Sequence, residues 1–541
     1  MAERILIVED NKNLRDDMRR SVEAARPGCD ILEVENETKA VELINRTLFS
    51  VVVADIQLDE AGGDKVGGFT VLSEAKEREP HTQVIIITSY LTPERIKLIR
   101  QLDGFGYIDR TAEYYLDLLK RYVMEASELF EHLQKPRRAG LVFRYPDQSG
   151  GVPSVELVGV DSKPRKSRSP LILDVHLLEG ATAAIDSLVH LREPKHRNAL
   201  SQFVGQYIWN RLFGEHEVMT LALGEARGLV RGPAYLPLRF VSGSDALDLP
   251  FELAHDGRNY VARQHPLVRA VRHATPESPL LPTLMERLAH RKKPLRILLL
   301  ASNTCLRELS PILSVDREID IVKEAILKSL PLPFGPEIEI KTIQSWESSY
   351  EQVLRELKSG YHIIHYAGHS TYNQAMPGKS SLCFWEEPCQ SPEEWREVSG
   401  ELEEWYDVSK SERARLAARA QNLRGGLKNV TADELKLWFG PSAPSLVYLS
   451  SCHAGQSGSA HYLTFSKSLG LMDAVARAGV PIVMGHRWPL IDSKNSVRFV
   501  ETFYKRLLAE YPPEQALLWA RREVQLDDPI WASAVMIVQS F

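Results

Sequence analysis

The sequence predicts an α/β protein in three parts. These are an N-terminal doubly wound sheet of five parallel strands, a mixed α+β connecting stretch, and a second, C-terminal α/β arrangement with reactive side chains at its strand ends. Three observations carry this reading. Five short apolar strands alternate with helical-period segments in the first 135 residues, which is the pattern of a doubly wound parallel sheet. The same alternation resumes at Leu295 and runs towards the C-terminus. A chain of 541 residues also exceeds what one hydrophobic core serves. The expected boundaries are 1–135, 136–290 and 291–541.

In the first part the strands are RILIV (4–8), DILEV (30–34), VVVAD (51–55), QVIIIT (83–88) and FGYI (105–108). Such a sheet presents its functional groups at the carboxyl ends of its strands. Glu9 and Asp10 follow the first strand, and Asp55 ends the third. Three carboxylates at neighbouring strand tips repel unless they share a cation, and an oxygen-rich site of this kind suits Mg2+. The closing helix, 113–134, spaces Leu116, Leu119, Val123, Ala126, Phe130 and Leu133 in steps of three and four. That stripe either packs within the chain or forms a homodimer seam, and three heptads are too few to require a coiled coil.

Residues 1–135 resemble the receiver domain of two-component response regulators. The resemblance implies that Asp55 accepts a phosphoryl group from a sensor histidine kinase or another phosphodonor. It also implies that Glu9, Asp10, Asp55 and the Gln57 carbonyl hold Mg2+, with Thr88 the switch hydroxyl and Tyr107 the aromatic that moves with it. Two features depart from the family. Arg110 stands where the family has a lysine, and a planar guanidinium fork does not replace a point charge conservatively. The loop DEAGGDKVGG after Leu58 is also longer than usual. A receiver fold kept only as a docking module is the competing reading.

The middle reads as strands LILDVHLL (171–178) and LPLRFV (236–241) around a helical stretch, RNALSQFVGQYIWNRLF (197–213). The segment 248–272 shows no evident chemistry, His255 is read as structural, and MERLAHRKKP (285–294) as a polar boundary. Two basic runs, KPRRAG (135–140) and SKPRKSRSP (162–170), are short and lack interleaved aromatics. They read as linker or hairpin and not as a nucleic-acid patch. A net charge of −6 gives no ground for a nucleic-acid or membrane partner. No apolar run is long enough to cross a bilayer, and MAERILIVEDN carries charges where a signal peptide needs an apolar core. Five cysteines in so long a chain speak for a reducing compartment, so the expected location is cytoplasmic.

The C-terminal part begins with LRILLLASN (295–303) and continues through helix 314–329, strand IEIKTI (338–343) and helix 347–359. Two apolar strands then stop at reactive side chains: YHIIHYAGHS (361–370) at His369 and SLVYLSSCHAGQSG (445–458) at Cys452. A base beside a thiol makes a nucleophile, so a facing pair would act as a cysteine peptidase. Either residue alone reads by default as a buried structural side chain. PIVMGHRWP (481–489), helices at 493–509 and 513–525, and IWASAVMIVQ (530–539) complete the pattern.

This region resembles the CHAT family of caspase-like peptidases. Carrying the resemblance are HYAGHS, LSSCHAG, GVPIVMGHRWPLID (479–492), RFVETFYKRLLAE (498–510), QALLWARREV (515–524), DDPIWASAVMIV (527–538) and, upstream, LPFELAHDGRNYVA (249–262). It implies a His369–Cys452 dyad acting on a protein substrate without a cofactor, and a defence or cell-death setting. Backbone N–H groups at Gly368, Ser370 and Cys452 are the candidate oxyanion donors. Ser370 replaces the family's usual glycine but keeps its N–H. His365 is read as a packing residue, His453 as non-catalytic, and Cys383 and Cys389 as free thiols. Ser450 stands where metacaspase-like relatives carry an aspartate that binds a basic P1 side chain. Between the dyad residues lies an insertion, 386–428, acidic first and basic later. It reads as a lid or processing linker, or as a solvated helical pair. The combined reading is a signal-controlled cysteine endopeptidase. The alternative is a non-catalytic signalling adaptor with a degenerate peptidase domain.

Overall fold

A computed structural model describes residues 3–58, 67–79, 81–134, 140–144, 151–158, 164–170, 177, 194–230, 232–241, 250–271, 281–304, 315–329, 336–371, 379, 381–389, 391, 393–395, 397, 410–439, 443–452, 471–473, 475–486, 494–509, 511–528 and 530–539. The chain divides into two compact units. One is Met1–Arg138 with Pro331–Gly335 and Leu508–Glu510, and the other is the remainder.

In the first unit, strands β1 (Arg4–Val8), β2 (Asp30–Val34), β3 (Val51–Asp55), β4 (Gln83–Thr88) and β5 (Gly106–Asp109) form a parallel sheet in the order β2-β1-β3-β4-β5. Helices α1 (Lys12–Ala25), α2 (Glu37–Arg46), α3 (Gly67–Arg78), α4 (Pro93–Gln101) and α5 (Tyr115–Gln134) connect and close it. The period-two alternation of each strand fills two cores. Ile5, Ile7, Val51, Val53, Ile85 and Ile87 meet Met18 and Val22 of α1 and Leu119, Val123 and Ala126 of α5. Leu6, Val8, Val52, Ala54, Val84 and Ile86 meet Ala40, Ile44, Leu72 and Ile99 on the opposite face. Local chemistry starts the helices: Asn11 accepts from the Asn13 and Leu14 N–H groups, and Asn36 from that of Lys39. The α5 stripe is therefore occupied by its own sheet at Leu119, Val123 and Ala126, while the Leu133 side chain lies outside the described residues.

The second unit holds β6 (Gly140–Arg144), β7 (Ser154–Val158), β8 (Arg165–Lys166), α6 (Pro194–Trp209), α7 (Glu217–Leu229), β9 (Leu238–Val241), β10 (Leu267–Val271) and α8 (Leu281–His290). It continues with β11 (Leu295–Ser302), α9 (Val315–Lys328), β12 (Ile338–Ile343), α10 (Tyr350–Leu357), β13 (Ile363–Thr371), β14 (Ser381–Trp385), α11 (Lys410–Arg424), β15 (Leu427–Thr431) and α12 (Ala432–Phe439). It closes with β16 (Leu446–Cys452), β17 (Ile482–His486), α13 (Lys494–Leu508), α14 (Pro513–Glu523), α15 (Ile530–Ser533) and β18 (Ala534–Gln539). One sheet runs β12-β11-β13-β16-β17-β18-β10-β9-β6-β7-β8, with β14 and β15 forming an antiparallel ribbon off the end of β13. Strands from the connecting stretch thus extend the sheet that carries His369. The pairing β12-β11-β13-β16-β17 is parallel throughout.

One reading from the sequence changes. MERLAHRKKP does not open as a polar boundary, because Met285 and Leu288 are buried on α8. IWASAVMIVQ opens with a helical turn before its strand, and the two meet at Ala534. The expected strand 171–178 lies outside the described residues except Leu177, which is helical.

Candidate functional site

In each sheet the strand order reverses, and the crevice at such a switch point, outside the carboxyl ends of the strands, is where α/β sheets bind and react. In the first unit the reversal lies between β1 and β3. Glu9 and Asp55 flank it and are buried, while Asp10 is exposed. The Arg110 guanidinium reaches both, with Nη1 2.9 Å from Glu9 Oε2 and 3.3 Å from Asp55 Oδ2. Its Nε donates to Ser89 Oγ at 3.0 Å. Burial, a hydrogen bond with Asp10 and the Asp55 charge push the Glu9 carboxyl up to about 7, against the opposing pull of the Asn11 N–H and Arg110. Burial also raises Asp55, with Arg110 the largest opposing influence. Thr88 is fully buried at the end of β4. Tyr107 is partly buried against the sheet core.

Among the described residues no three His, Cys, Asp or Glu side chains form a ready ligand cluster. The site nevertheless fits a divalent cation. Asp55 Oδ1 is buried and accepts no hydrogen bond, and the Asp55 charge adds to the burial that raises the Glu9 carboxyl. The long loop after Leu58 lies outside the described residues as far as position 66. At its end Gly68 packs where a Cβ would stand 2.2 Å from the Asp55 carbonyl oxygen, so that position excludes a side chain.

In the second unit the reversal lies between β11 and β13. The β13–β16 ladder pairs His365 with Tyr448, Ala367 with Ser450, and His369 with Cys452. The backbone therefore brings His369 and Cys452 side by side at two adjacent parallel strand ends. His369 is buried, and the Cys452 side chain and His453 lie outside the described residues. The strand end is held firmly. Tyr366 Oη donates to the His369 carbonyl at 2.5 Å and also reaches the Cys383 carbonyl at 3.1 Å. A Cβ on Gly368 would sit 2.5 Å from the Ser302 carbonyl oxygen, so only glycine lets β11 and β13 approach there.

Beneath the pair runs a buried polar row. His365 Nδ1 lies 2.8 Å from Tyr504 Oη, and its Nε2 3.1 Å from Glu318 Oε1. Its ring stacks on Tyr448 at 4.5 Å, and Tyr448 Oη lies 2.6 Å from His486 Nε2. Both His365 nitrogens are engaged, which suits support and not proton transfer. Burial pushes the Cys383 thiol up to about 12, which makes it unreactive. His255 accepts from the Gly257 N–H at 3.1 Å and meets Tyr260 edge-on.

Sequence reasoning missed Glu252 and Arg269. They form a fully buried two-point pair, Nε–Oε1 3.1 Å and Nη2–Oε2 2.8 Å. The signal was present: each is a lone charge inside an apolar run, LPFELA and PLVRAV, and a buried charge needs a partner.

The CHAT domain model matches residues 203–538, and the response regulator receiver domain model matches residues 5–114. The chain belongs to the CHAT family and carries an N-terminal receiver domain. Solved receiver domains resemble the first unit. A CheY-like receiver domain protein from Methanospirillum hungatei is 22% identical, over 24% of this chain and 98% of that one, with a TM-score of 0.21. One from Clostridium thermocellum is 20% identical, over 23% and 94%, with a TM-score of 0.20. The receiver of a DNA-binding response regulator from Colwellia psychrerythraea is 23% identical, over 23% and 98%, with a TM-score of 0.21. No curated protein matches the chain. The CHAT domain has a caspase-like cysteine-peptidase fold, and a receiver domain implies a phosphodonor partner such as a histidine kinase. No helix among the described residues is long and apolar enough to cross a membrane.

Proposed function

We propose that the protein is a cytoplasmic cysteine endopeptidase controlled by its receiver domain. The carrying observation is the ladder that ends with His369 beside Cys452 at a strand-order reversal. In this reading His369 takes the Cys452 thiol proton. The thiolate sulfur attacks a peptide carbonyl, and the imidazolium protonates the leaving amine. Water, deprotonated by His369, then hydrolyses the acyl-enzyme and regenerates the thiol. Backbone N–H groups at Gly368, Ser370 and Cys452 are the proposed donors to the tetrahedral oxyanion. A division into receiver (1–135), connecting (136–290) and peptidase (291–541) parts fits this reading, with the connecting strands widening the peptidase sheet. Family membership points to defence or cell-death signalling as the setting.

On the receiver, Asp55 is the proposed phospho-acceptor, with Thr88, Tyr107 and Arg110 as the groups that respond. Glu9, Asp10, Asp55 and the Gln57 carbonyl would hold Mg2+, which neutralises phosphoryl charge when bound. Incubating the protein with Mg2+ and acetyl phosphate should label Asp55 as an alkali-labile acyl phosphate, and Asp55→Asn should block labelling. Cys452→Ala and His369→Ala should each abolish cleavage of a peptide library while the fold persists. Their double mutant should be no worse, because groups that act as a unit are non-additive. Substantial cleavage by Cys452→Ala would overturn the peptidase reading in favour of an adaptor.

A further inference from the structure

We infer that Arg110 is a resident counter-cation at the receiver site, held in place by Ser89, and that a divalent cation enters only by displacing it. This inference rests on the Mg2+ reading above. Glu9 Oε1 accepts from the Asn11 N–H at 3.1 Å, and Glu9 Oε2 lies 2.9 Å from Arg110 Nη1. The same Nη1 stands 3.3 Å from Asp55 Oδ2, which leaves Asp55 Oδ1 as the carboxylate oxygen of this pair without a donor. Mg2+ demands near-octahedral oxygen ligands at about 2.0–2.1 Å, so a cation drawing on Glu9 and Asp55 meets oxygens already in use. A guanidinium on the same two carboxylates also repels it. With Glu9 0% and Asp55 2% exposed, water screens that repulsion little.

Ser89 fixes the guanidinium from its other edge. The β4–β5 ladder pairs Thr88 with Asp109, so Ser89 and Arg110 follow on neighbouring strand ends. The Arg110 backbone N–H donates to the Thr88 carbonyl at 3.0 Å, and Arg110 Nε donates to Ser89 Oγ at 3.0 Å. One planar fork thus spans a hydroxyl and two carboxylates. A lysine ammonium is a single nitrogen on a flexible stem and has no second edge to anchor. The Arg110 side chain is 17% exposed, so it has a route into water once a cation takes its oxygens. Its departure releases Ser89 together with Glu9, and cation occupancy is thereby tied to the turn that follows β4.

The test titrates Mg2+ into the full chain by calorimetry, without phosphodonor or substrate. Arg110→Gln, which removes the charge, should bind Mg2+ about tenfold more tightly than wild type, the size of a lost charge-assisted hydrogen bond. Ser89→Ala, which only loosens the guanidinium, should tighten binding about threefold, as expected for one ordinary hydrogen bond. Arg110→Lys should fall between wild type and Arg110→Gln. A variant that merely damages the fold binds a cation more weakly, so tightening is a change that a structural role does not produce. Thermal melting gives the second readout: Mg2+ should raise the melting temperature of Arg110→Gln more than that of wild type, because tighter binding to the folded state stabilises it more. Where Arg110→Gln fails to fold, Ser89→Ala carries the comparison, since it leaves every charge in place. Mg2+ affinity in Arg110→Gln and Ser89→Ala equal to or weaker than that of wild type overturns the inference and leaves the Mg2+ reading standing. No saturable Mg2+ binding by any of these proteins overturns the Mg2+ reading beneath it.

Discussion

Single buried charges set how firmly this protein holds its sites. Glu252 and Arg269 are both fully enclosed and satisfy each other at two points. Removing one partner strands the other, which costs about 3–5 kcal/mol, whereas replacing both with apolar groups of like volume is near neutral. Urea unfolding should therefore show Glu252→Ala far less stable than wild type, and Glu252→Leu with Arg269→Met close to it. Buried histidines give the second residue-scale expectation. Burial, with His365 and Arg521 nearby, lowers His486 to about 3. Burial and Arg227 do the same to His265. A lowered histidine binds fewer protons folded than unfolded, so stability rises with pH between about 3 and about 6.5 and is lost on acidification across that window. Each should contribute up to about 1.4 kcal/mol per pH unit within it. His486→Asn should flatten the acid limb of a urea-stability profile for the second unit, and an unchanged limb would refute the assignment.

At the scale of elements, Arg424 decides what the insertion after β14 does. It is fully buried at the end of α11, and its nitrogens donate to the carbonyls of Glu387, Ser345 and Ser348 at 2.9, 3.0 and 2.7 Å. Its guanidinium lies 4.7 Å over Trp395, whose indole N–H donates to Ser345 Oγ. Both described ends of the excursion are therefore clamped to the domain, and residues 398–409 lie outside the described residues. Arg424→Ala leaves three carbonyls without donors. It should destabilise the second unit by several kcal/mol and open the ribbon to limited proteolysis, which Arg424→Lys would only partly prevent because it lacks the planar fork. None of this clamp was legible in the sequence, where the insertion showed only acidic and basic halves. Its partners at Ser345 and Ser348 are remote in the chain and carry no pattern. The receiver strands were legible to within a residue or two, because each is a short apolar run with a carboxylate or hydroxyl at its tip. The same holds for β11, β12, β13 and β17. The placing of β6, β9 and β10 in the peptidase sheet was not legible, since neighbours in a sheet are chosen by tertiary packing and not by local period. Register supplied the rest of the site: His369 and Cys452 each read clearly as a strand end, but only the ladder makes them neighbours.

At the scale of the whole molecule, a receiver and a CHAT domain in one chain make sense if an equilibrium in the first unit biases activity in the second. A two-state receiver shifts a partner only by the difference in its interaction with each state. The expected size is modest, since allosteric coupling is typically about 1–3 kcal/mol, or roughly 5- to 150-fold. Arg110 sets the direction of the test. Already between Glu9 and Asp55, it neutralises in advance part of the charge that a lysine would meet only on phosphorylation. The unphosphorylated receiver should therefore sit closer to its responsive state than one carrying lysine. Arg110→Lys should widen the difference in Cys452 alkylation between acetyl-phosphate-treated and untreated protein, and Asp55→Asn should remove that difference whichever residue stands at 110. If treated wild type and Asp55→Asn alkylate at the same rate, yet removing the receiver changes the rate, control runs through docking and not through phosphate. The first unit has its own two-faced core and sheet, so that outcome would leave its fold explained and its chemistry idle.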